Sequence, residues 1–311
     1  MLTNINLNLL IMKKVIFTAA AFAMTIVGYA QNVSDVDQSG SNNADVNQTS
    51  TGIYVNASDV DQDGASNDAQ VNQIGNNSST VDQVGTMNMA DINQVGGNGG
   101  SVTYQNTNTS LAIQNGTGNV IDVDQVAASG NPASGNTSEI NQNNAVTNGD
   151  GNYAKVLQGA FANESYANQT GDDNSVDIDQ AGAANVSYSD QTSDGAVGST
   201  VGAGYAQESV VLQRGRRNFS DVDQMGDINS SDIDQSSTAA WGLAGPKSNE
   251  AMISQNGYYN TSTLVQADLF GADGNNTMTV MQTNASITGP GNVSTGNQMG
   301  GNTATVTQTN L

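Results

Sequence analysis

The chain has 311 residues, 36% of them hydrophobic and 5% aromatic, with a formal charge of −22. So polar and acidic a chain buries too little apolar surface to offset its chain entropy in the ordinary way, and disorder is the default unless a pattern defeats it. The sign of the charge argues against nucleic acid and anionic membranes as partners, while the absence of His and Cys excludes a Ser–His triad, a cysteine nucleophile, a thiolate metal site and disulfide staples.

At the N-terminus, Met12, Lys13 and Lys14 make a positive start, residues 15–27 an apolar run, and Gly28, Tyr29 and Ala30 a small-residue cleavage site. This is the pattern of a secretory signal over residues 1–30, with Met12 as an alternative start, and it is too short for a stable membrane anchor. The mature chain is expected to begin near Gln31, where five basic residues against 29 acidic leave a charge of −24. No second long apolar run follows, so the predicted product is secreted and has no integral membrane segment.

From Asn32 onward the chain repeats Asn-x-(Ala/Ser/Thr)-x-(Val/Ile/Leu)-x-Gln. Representative pairs are Asn42/Gln48, Asn67/Gln73, Asn77/Gln83, Asn88/Gln94, Asn163/Gln169, Asn174/Gln180, Asn218/Gln224 and Asn229/Gln235. Twenty such pairs run from Asn32/Gln38 to Asn302/Gln308. Gln105 and Gln213 mark two more units that lack the Asn, giving 22 units mostly 11 residues apart. The four patterned positions have the period of two that places side chains on one face of a β-strand. About four residues separate each Gln from the next Asn. Glycine is often the second of them, as at Gly40, Gly85 and Gly96, where a tight reversal calls for positive φ. A helix is disfavoured by the Asn, Val, Asp, Gly and Ser content and by the lack of a 3.6-residue stripe. Pro132, Pro246 and Pro290 all fall in the long gaps 125–142, 235–255 and 282–298. These gaps read as looped-out insertions, because proline cannot donate to a β-ladder.

Two 11-residue strand-turn halves make a 22-residue rung. The prediction is an all-β chain: a β-solenoid or cross-β stack of about 11 two-strand rungs over residues 31–311, rising about 50 Å. Its interior would hold rows of Asn and Gln. A buried amide left unpaired costs about 1–3 kcal/mol, so each is expected to bond its copies on neighbouring rungs. No polar cap closes such a stack, and an open edge is a template for another copy.

The pattern resembles the curlin repeat of bacterial curli subunits, Ser-x5-Gln-x-Gly-x-x-Asn-x-Ala-x-x-x-Gln. QSGSNN, QDGASN and QMGDIN match its first half, and Asn88, Ala90 and Gln94 its second. The resemblance spans about residues 32–308. It implies a secreted functional amyloid, a fibre subunit of the biofilm matrix serving adhesion and cohesion. Its partners would be copies of itself, a nucleator and outer-membrane secretion factors; no cofactor or catalytic residue is expected. The chain departs from the short members of that family in carrying more repeats and in starting them directly after the signal. This leaves open the export route and whether it is a major subunit or a nucleator.

Three outward features have competing readings. Asp-x-Asp recurs at Asp35/Asp37, Asp59/Asp61, Asp122/Asp124, Asp177/Asp179, Asp221/Asp223 and Asp232/Asp234. These pairs suit calcium in a monomeric secreted β-solenoid such as an adhesin stalk, or they are solvated charge that keeps the chain soluble before assembly. The second is favoured, because GGNGG at 96–100 is the only near echo in the sequence of the nonapeptide of calcium-binding β-rolls. Arg214, Arg216 and Arg217 read as turn charge or as a site for a neighbour's acidic flank. Tyr104, Tyr153, Tyr166 and Tyr188 read as strand formers or as lateral or carbohydrate contacts.

Overall fold

A computed structural model describes residues 32–50, 54–96, 107–127, 135–144, 151–193, 207–237, 249–267, 276–285 and 290–310. The secretory signal and Pro132, Pro246, Tyr104 and Gln105 lie outside them. Among the described residues there are nineteen strands. They are β1 (Val33–Thr49), β2 (Ala57–Ile74), β3 (Asn77–Thr86), β4 (Met89–Val95), β5 (Asn108–Thr117), β6 (Val120–Ala127), β7 (Thr137–Asn143), β8 (Tyr153–Phe161), β9 (Glu164–Thr170), β10 (Ser175–Ala183), β11 (Val186–Thr192), β12 (Glu208–Arg216), β13 (Phe219–Asp227), β14 (Ser230–Ser236), β15 (Asn249–Tyr258), β16 (Thr261–Ala267), β17 (Asn276–Asn284), β18 (Val293–Met299) and β19 (Thr303–Asn310).

All pairing is parallel, and beyond β2 each strand pairs with the second one along the chain. β1 and β2 each pass through both sides of the solenoid, so the first half of each belongs to one column and the second half to the other. Column A holds the first halves of β1 and β2 and then the odd-numbered strands β3 to β19. Column B holds the second halves and then the even-numbered strands β4 to β18. Column A therefore has 11 strand segments and column B ten, or ten full rungs and a final half rung. The whole is a two-sided β-solenoid, as the 22-residue rung predicts.

The register follows the sequence pattern, with Gln opposite Gln at every step. Between the two sheets lies a thin core in which Val60, Val71, Val81, Ile92, Ile121, Ile140, Ile178, Val222, Ile233 and Val280 are fully buried. Such residues contribute about 1.5–3 kcal/mol each. At most rungs a small Ala or Ser two positions earlier leaves them room, whereas Ile121 itself stands at that earlier position and Ile178 and Val280 follow Val176 and Met278. Near the C-terminal edge the sizes are exchanged. Gly296 replaces the branched residue, and Met278 fills its space, since a Cβ on Gly296 would meet the Met278 side chain at 2.2 Å.

The short turns contain two left-handed positions where the sequence suggested one. In Gln-x-Gly-x-x-Asn, the Gly and the residue just before the Asn both have positive φ, as in Gly85 and Met87, Gly182 and Ala184, and Gly226 and Ile228. The second position tolerates a side chain because its N–H bonds the carbonyl of the turn below: Met87 to Ala65 at 3.1 Å, Ala184 to Phe161 at 3.2 Å. At Gly182 the first does not, because a Cβ there would sit 1.9 Å from the Gly215 carbonyl oxygen, although Ala160 holds the equivalent position on the neighbouring rung with a φ of 73°. Gly96 departs from the expectation. It is not among the positive-φ residues; it is required because a Cβ there would meet the Asn76 backbone at 2.7 Å.

The unit count also changes. β3 pairs directly with β5 and β4 with β6, so the ladders step from Gln83 to Gln114 and from Gln94 to Gln125. Gln105 lies outside the described residues, among which 21 units are paired. Pro290 sits between β17 and β18, outside any strand.

Candidate functional site: amide columns and open edges

The predicted ladder residues fall into four columns. Asn67, Gln73, Asn77, Gln83, Asn88, Gln94, Asn163, Gln169, Asn174, Gln180, Asn218, Gln224, Asn229 and Gln235 are buried; Asn42 and Gln48, in the first rung, are half-buried. In column A, each Gln Nε2 donates to the next Gln Oε1, from Gln38 through Gln62, Gln83, Gln114, Gln142, Gln169, Gln191, Gln224, Gln255 and Gln282 to Gln308, at 2.5–3.1 Å. Column B does the same from Gln48 through Gln73, Gln94, Gln125, Gln158, Gln180, Gln213, Gln235 and Gln266 to Gln298, at 2.7–2.9 Å.

The second Nε2 proton crosses the core. Gln48 donates it to the Val33 carbonyl, Gln62 to Asn43, Gln73 to Ala57, and so on to Gln308 and Val293. The acceptor is always the residue one past the Asn position in the preceding half rung. Each column is thus offset from the other by half a rung, and both make the same bonds.

The Asn columns run the opposite way. Asn77 Nδ2 donates back to Asn56 Oδ1, Asn88 to Asn67, Asn185 to Asn163 and Asn260 to Asn229, at 2.9–3.2 Å. Asn also clamps the turns. Its Nδ2 donates to the carbonyl of the residue that follows the preceding Gln, whether the connection is short, as Asn88 to Val84 or Asn218 to Arg214, or long, as Asn108 to Val95 or Asn249 to Ser236. At several long connections the clamp thus closes the base of an insertion, whereas Asn152 donates to the Gly171 carbonyl and Gln207 to the Gly226 carbonyl instead.

Sequence reasoning missed one member. Gln207, six residues before Gln213, is fully buried in the Asn column, and its Nε2 reaches only the Gly226 carbonyl, at 2.6 Å. Its Oε1 and the Asn174 Oδ1 below it are buried without hydrogen-bond partners, so column B has a fault here. The amide at Gln207 and the branched residue at Val211 were the available signals.

On the outer face, Asp82, Asp91, Asp122, Asp177, Asp190, Asp221 and Asp232 all have raised carboxyl pKa values, chiefly from desolvation and then from neighbouring carboxylates. Lys155 lies in register between Asp122 and Asp177 and partly offsets this for both. The acids do not line up into unbroken rows: Asp232 and Asp234 stand opposite Val210 and Leu212. Among the described residues no group of three or more acidic side chains could hold a metal ion. Tyr166 and Tyr188 stack at 4.8 Å and 6°, with Phe219 tilted beyond them. Arg214 and Arg216 close β12, and the left-handed Arg217 donates its N–H to the Ala183 carbonyl. No helix among the described residues is long and apolar enough to cross a membrane.

The two ends differ. β1 is exposed over most of its length, with Val33 at 55% and Val36 at 44%. Its outward row carries Asp35, Asp37 and Asp45, while Thr295, Asn297, Thr303, Thr305 and Thr307 face outward from β18 and β19. The column directions also make the ends complementary. The β1 edge presents Gln carbonyl oxygens and Asn amide protons, and the β18–β19 edge presents Gln amide protons and Asn carbonyl oxygens.

Residues 149–182 match the family model described as curlin associated repeat. The segment includes Gln158, Gln169 and Gln180, spaced by 11 residues, together with Asn152, Asn163 and Asn174. No curated protein matches the chain.

Proposed function

We propose that the protein is a secreted structural subunit that assembles end to end into curli-like amyloid fibres, contributing to a biofilm matrix and to surface adhesion. The carrying observation is that both Gln columns run unbroken to edges beyond which no described strand lies. Such an edge is a template for another chain. Donor meets acceptor only when the β18–β19 edge of one copy meets the β1 edge of the next, and a head-to-tail contact that does not close on itself generates a filament. Charge favours the same choice, because two β1 edges together would set Asp35, Asp37 and Asp45 of one copy against those of the other.

The curlin associated repeat at residues 149–182 and the secretory pattern of residues 1–30 support an extracellular destination. Residues 31–311 then act as one repeat domain, in which the ladder amides are structural. The principal partner is a second copy, and a nucleator and outer-membrane secretion factors are the accessory partners. The test is fibre diffraction from purified residues 31–311 aged with a chelator. Reflections near about 4.7 and about 10 Å are expected. A clear solution that gains β-structure only when calcium is added would overturn the proposal in favour of a monomeric calcium-binding solenoid.

A further inference from the structure

We infer that successive copies in the fibre are rotated by half a turn about the fibre axis, so that column A of one subunit continues into column B of the next. This rests on the end-to-end assembly proposed above and adds the geometry of the joint.

The half-rung offset carries the inference. Along the axis the strand segments alternate A, B, A, B, and each Gln donates across the core to the segment just before it. The described solenoid starts with an A segment, the first half of β1, and ends with another, β19, which pairs with β17. It therefore contains an odd number of segments. At the β18–β19 edge, column A stands one segment ahead, and the vacant position is in column B, above β18.

A copy placed without rotation would set the first half of its β1 on β19. Its own column B would then start one segment too high and leave a strand-sized gap above β18. The edge of β18 would be buried unpaired, which is costly for backbone groups. Gln38 would face the same gap. Alone among the ladder glutamines of the described residues, it has no preceding half rung to receive its second proton, and its Nε2 donates to Gln62 Oε1.

Half a turn removes the mismatch. The first half of β1 then lies on β18, with Gln38 in register with Gln298, and the second half lies on β19, with Gln48 in register with Gln308. Gln38 acquires the Thr303 carbonyl as the equivalent of the acceptor that Gln48 finds in Val33. The exchange is permitted because the two columns carry the same inward pattern and make the same cross-core bonds. It keeps the axial polarity, so the Gln and Asn columns continue in their own directions.

The chain has no cysteine, so single cysteines can be labelled cleanly. Pyrene is attached to Thr305→Cys, Asp45→Cys and Asp35→Cys variants of residues 31–311, all at outward positions, and pairs of variants are mixed before assembly. With the half turn, residue 305 of one copy lies beside residue 45 of the next, about 4.8 Å away across one strand pairing. Residue 35 lies on the opposite face. The 305/45 mixture should show a severalfold higher excimer-to-monomer emission ratio than either variant assembled alone, in which equal sites lie about 50 Å apart along the axis. The 305/35 mixture should match the single variants. Excimer in 305/35 instead, or in neither mixture while fibres form, overturns the half turn. Failure of the unlabelled chain to form fibres sinks the assembly proposal and this inference with it.

Discussion

The glutamine and asparagine columns are built from the same amide group, yet one kind is unbroken and the other is not. Every ladder Gln sits at the last patterned position of its half rung, where backbone pairing with neighbouring rungs already sets its height, so its ladder bond is reproduced at each step at 2.5–3.1 Å. Every Asn sits where a turn enters a strand, and its amide divides its protons between the neighbouring Asn and the turn carbonyls. The Asn columns therefore inherit the irregularity of the connections. At Asn136 and Asn152 the link to the rung below is a backbone N–H to an Asn Oδ1, and at Gln207 the column fails. Gln continuity suits growth along the axis, and Asn suits closing each rung.

Removing a central glutamine should break that contrast most severely. Gln142→Ala leaves a Gln114 proton, the Gln169 Oε1 and the Val120 carbonyl without their partner. At about 1–3 kcal/mol per buried unsatisfied group, a loss of about 3 kcal/mol or more is expected in denaturant unfolding. Gln38→Ala, at the exposed first strand, should cost under about 0.5 kcal/mol. Equal losses at the two positions would mean that the ladder adds nothing to backbone pairing. The clamp comes next. Asn249→Ala removes bonds to Asn218 Oδ1 and to the Ser236 carbonyl, with an expected loss of about 2 kcal/mol, and Asn249→Asp should rescue little because it removes the donor.

The strand spacing, the all-β class and the Gln register were legible because a period of two and an 11-residue step are properties of residue type. The direction of each column was not, since Asn and Gln offer the same groups whichever way they point. Nor were the second left-handed turn residues. Met87, Ala184 and Ile228 share no side-chain property, and what holds Met87 and Ala184 is a backbone bond to the turn below. Gln105 and Gln213 looked alike as units without Asn, yet only Gln213 has a branched residue and an amide at the inward positions before it, Val211 and Gln207. The exchange of sizes between Gly296 and Met278 involves facing strands, and such pairing is invisible along one strand.

Repairing the fault should move stability the other way. Gln207→Asn shortens the amide to the length used elsewhere in the column, where it can donate to the orphaned Asn174 Oδ1 and accept from Asn229. Satisfying two buried groups should raise the unfolding free energy by about 1–2 kcal/mol. An unchanged midpoint would mean that the backbone at β12, and not the length of the side chain, keeps the column open.

The smallest expected effect separates the interior from the outer face. Amides do not titrate in this range, whereas the carboxyls of Asp82, Asp91, Asp122, Asp177, Asp190, Asp221 and Asp232 have folded pKa values raised above 3.8 by burial and by one another. Between 3.8 and those raised values the folded chain binds more protons than the unfolded one, so stability falls as pH rises through that window and levels off above it. The unfolding midpoint should therefore be higher at about pH 4 than at about pH 7, and assembly should start sooner. Lys155→Met should enlarge the difference, because Asp122 and Asp177 lose the cation that holds their pKa values down. The deficit of Gln142→Ala should be the same at both pH values. A deficit that varied with pH would mean that the outer charges and the inner ladder act on each other through the strand between them.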